Sequence, residues 1–378
     1  MIAKAGRARL AVSAKFGLNG VLFGVWAARV PAFVQAFSLD HGALGRLLLC
    51  LALGAILAFP AAGRLSDRIG AADATRLIGL GYALALPLLA LAPGPGWLAG
   101  ALLLFGAGHG AMDVAMNGWA AEVERLVRRP VMAAFHAMWS LGAGIGALSG
   151  WAAVAAGWSP LWHFMAMAVV CGALALALAA IPWQSTRSAA APGFALPARA
   201  LVPVGIVAFC SSVGEGAMAD WSAVFLVRIA QATEAQAALG LGVYSAAMVV
   251  ARLSASRVIA HWGAVTTARI AGLVAASGLS VALLGGTLAS GLLGFALLGL
   301  GYSAVIPLAF SRAANEPGVP QGRAIAGVAT LGYGGMVLGP VLIGGVAQVA
   351  SLPLAFGLVA VLALGISVLA PALRYDRG

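Results

Sequence analysis

The sequence predicts an all-α, polytopic membrane protein: twelve transmembrane helices in two pseudo-symmetric six-helix bundles. Three observations predict it. The 378 residues are 62% hydrophobic and only 9% charged, too little polar surface for a water-soluble chain of this length. Polar, Pro and Gly breaks cut the chain into apolar runs of about 20 residues, the number a helix needs to cross a hydrocarbon core ~30 Å thick. A single offset also aligns the first half of the chain with the second. The 51 glycines agree with this class, because helices in lipid associate through small residues that let backbones approach closely.

The runs lie at about 9–36, 42–63, 74–92, 97–121, 130–156, 159–181, 201–228, 235–257, 266–288, 291–312, 323–349 and 352–371. The first follows the basic start MIAKAGRARL and continues to about Phe37, too long for the h-region of a signal peptide, so it reads as an uncleaved span. With the N-terminus inside, Lys4, Arg7, Arg9, Arg64, Arg68, Arg76, Arg125, Arg128, Arg129, Arg187, Arg199, Arg257, Arg269, Arg312, Arg323, Arg374 and Arg377 fall at cytoplasmic ends, against Arg46 and Arg228 near outer ends. Basic loops resist translocation, so both termini are expected in the cytoplasm and the chain in the cytoplasmic, or inner, membrane. The net charge of +11 then marks a membrane face and requires no nucleic acid as partner. The longest loop, WQSTRSAAAPGFALPAR, is polar and bears prolines; it reads as a linker over 183–200 between bundles at 1–182 and 201–378. Cys50, Cys171 and Cys210 are scattered in apolar stretches, which suggests neither a disulfide framework nor a metal site.

The halves resemble each other. GRLSDRIGAADATRLIGLG begins at Gly63 and SRVIAHWGAVTTARIAGLV at Ser256, an offset of 193 residues that pairs Arg64 with Arg257 and Gly70 with Gly263. The same offset pairs Gly106 and Gly108 with Gly299 and Gly301, and Gly142 and Gly146 with Gly335 and Gly339. This is a parallel six-plus-six repeat, an arrangement in which a site lies between two halves that rock around it. The GxxxG spacings at Gly142/Gly146 and Gly335/Gly339 read as close helix packing.

GRLSDRIG (Gly63 to Gly70) resembles the G-x-L-x-D-R-x-G signature of the major facilitator superfamily, in the loop between helices 2 and 3. The usual basic pair after it is replaced by Ala71 and Ala72. The resemblance implies an inner gate made by Gly63, Asp67, Arg68 and Gly70, with Asp67 capping a neighbouring helix N-terminus, whose dipole favours negative charge. VPAFVQAFSL (Val30 to Leu39) and DVAMNGW (Asp113 to Trp119) further resemble sugar symporters of the fucose permease type and the YbjJ-like branch beside them. In that comparison Asp113 matches a carboxylate used for proton coupling. The acid those permeases carry on helix 1 is absent from Trp26-Ala27-Ala28-Arg29.

The residues themselves point to the same place. In GHGAMDVAMNGW, His109, Asp113 and Asn117 fall at i, i+4 and i+8, one stripe of a helix. Asp113 lies roughly 24 Å along its helix from Trp97, inside the membrane, where an acid costs about 2.5 to 3.5 kcal/mol and is functional by default. A group that can exist neutral there as well as charged is what a proton carrier needs. The alternative is a structural hydrogen bond to His109, Asn117 or another helix. Glu215 is about 21 Å in from Leu201 and is a second candidate for proton coupling. Asn19, His109, Asn117, Trp221 and Tyr302 are candidates for solute binding; Tyr302 is the counterpart of His109 under the 193 offset. Packing by His109 and a place for Trp221 in the aromatic belt are the alternatives. Arg29 and Asp220, near the outer ends of helices 1 and 7, are expected to pair as an outer gate, unless each simply snorkels to the interface. Lys15 is expected to snorkel inward, and His41 and His163 to lie at loop ends or at the interface.

No HExxH pattern and no phosphate-cradling loop is present, so no enzyme, metal or cofactor is expected. The partners expected are a small-molecule substrate, protons and the lipid bilayer, with the protein acting as a monomer. The favoured function is proton-coupled transport of a small polar solute such as a sugar, by alternating access. A proton-coupled efflux antiporter and a non-transporting sensor of the same fold are the alternatives.

Overall fold

The computed structural model describes residues 2–127, 131–179, 183, 185, 196–319 and 321–374. Most of the linker predicted over 183–200 lies outside them, as do Arg128, Arg129, Arg187 and Arg377. The chain forms α1 (Ile2–Ala36), α2 (His41–Ile69), α3 (Ala71–Ala90), α4 (Pro95–Val127), α5 (Met132–Ala155) and α6 (Pro160–Ala179). These are followed by α7 (Val202–Arg228), α8 (Glu234–Gly285), α9 (Leu288–Tyr302), α10 (Val305–Ala314), α11 (Gln321–Val349) and α12 (Leu352–Leu369). Among the described residues there is no β-strand, as expected where lipid offers the backbone no hydrogen-bond partner. Among the described residues eleven helical stretches are long and apolar enough to cross a membrane, and Pro160–Ala175 is a shorter twelfth. Two of the eleven, Glu234–Ala255 and Arg257–Gly285, lie end to end in α8, and α9 and α10 together make one, Leu288–Ala314. The chain is a multi-pass membrane protein.

Local chemistry sets the helix starts. Asp40 Oδ1 accepts from Ala43 N (2.6 Å) ahead of α2, and Ser351 accepts from Leu354 N at the head of α12. Thr233 with Gln236 and Thr287 with Ser290 form capping boxes on α8 and α9. Glu124, near the end of α4, accepts from Val131 N and Met132 N, both at 2.7 Å, and so caps the start of α5.

The GRLSDRIG stretch is not a loop: α2 continues through Ile69, and Gly70 alone separates it from α3. Gly70 has φ 94°, ψ 146°; its repeat partner Gly263, the non-helical residue within α8, has φ 76°, ψ 166°. Only glycine enters that region readily, so one residue reverses the chain where a polar loop was expected.

The helices form two compact units, Met1–Ser38 with Leu47–Ala191, and Leu39–Arg46 with Pro192–Gly378. In the first, α1 packs on α5, α4 and α6, and α3 on α4 and α6. In the second, α8 packs on α9, α12 and α7, and α7 on α11. The paired glycines do matching work. A Cβ on Gly142 would fall 2.1 Å from Gly17 O, joining α5 to α1, and one on Gly335 would fall 2.6 Å from Phe209 O, joining α11 to α7. Likewise Gly106 would meet Leu51 O at 1.9 Å and Gly299 would meet Tyr244 O at 2.3 Å. Gly339, by contrast, has only ordinary contacts.

Gly142→Val must push α5 away from the α1 backbone, and is expected to destabilise the protein by about 1–3 kcal/mol. Gly81→Val, on α3 with nothing within 4 Å of its Cβ, is the control. Thermal unfolding of both variants in detergent checks this, with a lower midpoint expected for the first alone.

Candidate functional site

In the first unit, four helices bring a polar and aromatic cluster together. Asn19 on α1 is wholly buried and both ends of its amide are engaged: Nδ2 donates to His109 O (3.3 Å) and Oδ1 accepts from Trp139 Nε1 on α5 (2.8 Å). The His109 ring on α4 meets the Tyr82 hydroxyl of α3 through Nδ1 (3.2 Å). Around it stand Phe23 at 5.1 Å and Trp139 at 6.4 Å between ring centroids. The polar stripe on α4 therefore divides. His109 turns to Tyr82, while half-buried Asp113 is bound one turn on by Asn117, whose Nδ2 donates to Asp113 Oδ1 (3.0 Å) and to Asp113 O (2.9 Å).

The second unit holds a charged cluster. On α7, Glu215 Oε1 accepts from Ser211 (3.2 Å), and Oε2 lies 3.7 Å from Arg252 Nη2 on α8. Tyr302, the last residue of α9, is wholly buried and packs its phenol on Gly214, where a Cβ would fall 2.2 Å from the hydroxyl. Tyr302 therefore stands at the break between α9 and α10, beside Glu215. The hydroxyls of Tyr302 and Tyr244 are buried and without a hydrogen-bond partner among the described residues.

Trp221, wholly buried in the second unit, is not placed on a lipid-facing belt. Asp220 is buried too, and its Oδ1 has no partner among the described residues. Arg29 is held within the first unit, where Nη2 donates to Trp158 O (3.1 Å). Asp67 is half-buried and Arg68 exposed near the end of α2; among the described residues no hydrogen bond or ion pair of Asp67 is seen. Two expectations are corrected. Lys15 does not snorkel but is fully buried, its Nζ donating to Ala175 O (3.2 Å); His163 does lie at a loop end, in the first turn of α6, but is buried and not interfacial, with Nε2 3.1 Å from Ser149 Oγ. Both are polar groups in an apolar run that reach a partner on another helix, which a one-dimensional pattern does not reveal.

Sequence reasoning missed Tyr82, Trp139, Tyr244 and Arg252. For Arg252 a signal existed: an arginine inside the apolar run 235–257 is costly enough to need a role. The three aromatic residues carried none, because tyrosine and tryptophan are unremarkable in a membrane chain until a partner is seen.

Two repeated helical units with buried carboxylates and polar clusters define a polytopic membrane carrier. Residues 14–318 match the Major Facilitator Superfamily, and the chain belongs to it. The chain is similar to the uncharacterized transporter y4wD of Sinorhizobium fredii, 46% identical over 366 residues, 96% of this chain and 97% of that one. It is also similar to an uncharacterized MFS-type transporter of Yersinia pestis, 36% identical over 94% of this chain and 93% of that one. The fold matches a crystal structure of the nucleoside transporter NupG with a TM-score of 0.80 and 12% identity, covering 97% of this chain and 100% of that one. The chain is thus a membrane transporter and not an enzyme.

Trp139→Phe keeps the ring but leaves Asn19 Oδ1 without its donor, at an expected loss of about 1–3 kcal/mol. Adding Asn19→Ala to that variant should cost less than Asn19→Ala alone, a coupling that a double-mutant cycle on unfolding midpoints measures.

Proposed function

We propose that this transporter is a proton-coupled symporter that carries a small polar solute, a sugar or related metabolite, across the cytoplasmic membrane by alternating access. A single chain holds the whole path, with both termini in the cytoplasm. The observation that carries the coupling is Asp113: a half-buried carboxylate inside a span, joined to Asn117. An amide offers both donors and an acceptor, so Asn117 can serve the carboxylate when charged and, after an amide flip, the carboxylic acid when neutral. Asp113 takes a proton from outside, the solute binds among Asn19, His109, Trp221 and Tyr302, and the halves rock to open inward. Glu215 is the second proton-binding group. Release of both cargoes resets the carrier. Gly63, Asp67, Arg68 and Gly70 belong to the inner gate in this reading.

The outer gate rests on Asp220. A buried carboxylate oxygen without a partner is unfavourable, and a group left so in one state is expected to be satisfied in another. Arg29 is its proposed partner when the carrier closes outward.

Asp113→Asn should abolish pH-driven accumulation in proteoliposomes and spare solute exchange; accumulation at the wild-type level would sink the assignment. For the gate, Arg29→Asp and Asp220→Arg should each lose transport and the double reversal should recover it. Absence of that rescue would count against the pair.

A further inference from the structure

The elbow of α8 at Gly263 carries positive charge that the chain around it does not balance. Between Ala235 and Asn315 there is no acidic residue and no lysine, and the arginines are Arg252, Arg257, Arg269 and Arg312. Arg252 lies 3.7 Å from Glu215, and Arg312 bonds Glu316. Arg257 and Arg269 are exposed and make no ion pair among the described residues. The matching elbow of the first unit is different, because Asp67 and Asp73 stand among its arginines and Asp73 holds Arg76. Under the 193 offset those two acids become Ala260 and Thr266.

The surface beneath the two arginines faces lipid. The spans Glu234–Ala255 and Arg257–Gly285 meet at this elbow, so it stands at the membrane boundary. Arg257 and Arg269 are each six residues from Gly263, about 9 Å along the helix on either side, which puts them at one depth. One turn deeper on the same stripe of each helix is an exposed leucine, Leu253 (70%) under Arg257 and Leu273 (48%) under Arg269. Trp262, 49% exposed with its ring beside that of His261, tops the elbow at the level where tryptophan meets head groups.

From this order of leucine, arginine and tryptophan we infer that the α8 elbow is a binding site for an anionic phospholipid, its phosphate held by Arg257 and Arg269 and its acyl chains lying along Leu253 and Leu273. Each part of the site selects part of the ligand. Planar guanidinium groups suit phosphate oxygens, and basic side chains at the end of a span are drawn to anionic lipid. A free anion in water would meet the arginines but gain nothing from the leucines. A zwitterionic lipid would cover the leucines yet bring its own cation to a place that already has two. The acids that could have supplied the balancing charge from within are present at the first elbow and absent from this one.

The test is thermal unfolding of the purified protein in mild detergent, titrated with phosphatidylglycerol, phosphatidylcholine or inorganic phosphate. Ligand that binds the folded state raises the midpoint by mass action. Phosphatidylglycerol should raise it more than phosphatidylcholine, and inorganic phosphate should not raise it. Arg257→Gln with Arg269→Gln should remove at least half of the difference between the two lipids. Arg46→Gln with Arg228→Gln, an equal loss of charge at the other end of the spans, should leave that difference in place. The inference is overturned if the two lipids act alike, if inorganic phosphate reproduces the shift, if the elbow variant keeps the difference, or if the control variant loses as much of it. Should the elbow variant not fold, lipids brominated on their chains decide the matter. The Trp262 share of the fluorescence, taken as wild type minus Trp262→Phe in bilayers, should be quenched more by brominated phosphatidylglycerol than by brominated phosphatidylcholine, and equal quenching overturns the site.

Discussion

Backbone meeting backbone at glycine is the contact on which the rest of this structure depends. Lipid tails are as apolar as leucine side chains, so burial of apolar surface alone gives helices no reason to associate in a membrane. Close approach does, through dispersion between backbones that a side chain would hold apart. The consequence reaches the polar clusters directly. Gly20 on α1 lies so near Trp139 O that a Cβ would fall 2.1 Å away, and that approach sets Asn19 within 2.8 Å of Trp139 Nε1. Gly214 does the same for Tyr302, letting the phenol lie over the backbone next to Glu215. The clusters are by-products of packing in the sense that no loop holds them: each polar group projects from a helix whose position is fixed by its neighbours' glycines.

The repeat shares this scaffold between the units but not the chemistry. Under the 193 offset Asp113 corresponds to Ile306, Glu215 to Leu22, Arg252 to Phe59, Tyr82 to Ala275 and Asp220 to Ala27. Each of these residues has an apolar counterpart, although Arg64 and Arg257 at the helix ends do pair, whereas Gly70 and Gly263, or Gly106 and Gly299, do equivalent jobs in both units. Packing constrains both copies alike because both must pack in lipid. Polar groups are costly there, and one copy is enough wherever a single charge does the work. Glycine is thus kept in both copies where packing needs it, while the charges inside the spans are carried by one copy only.

Most of the fold was legible in the sequence because its two strongest signals, the length of apolar runs and glycine at a fixed offset, are properties of the chain itself. The turn at Gly70 was less so: SDRIG looks like a loop by composition, yet a single positive-φ glycine let α2 remain helical through Ile69. Among candidate residues, Asp113 and Glu215 stood out because a charge in a span is visible without a structure. Side-chain surroundings were not. Trp221 is completely buried and Trp162 is 68% exposed, and hydropathy scores them alike because protein interior and lipid are both apolar. Arg252 was overlooked beside the nearby Arg257, and only the approach of α8 to α7 shows that it meets Glu215.

The bonds already made in each cluster bear on how such a carrier can move. Asn19 to His109 and Trp139, Asn117 to Asp113, and Ser211 to Glu215 all lie within a single unit. Motion of a unit as a rigid body would leave them intact. Buried polar atoms without a partner among the described residues occur in both units, among them Trp26 Nε1 and Trp119 Nε1 in the first, and Asp220 Oδ1 and the hydroxyls of Tyr244 and Tyr302 in the second. In a folded interior such groups are few, because each is unfavourable by about 1–3 kcal/mol. Bonds internal to one unit are the ones a rigid unit keeps, and these unengaged atoms are the ones a change of surroundings can still engage.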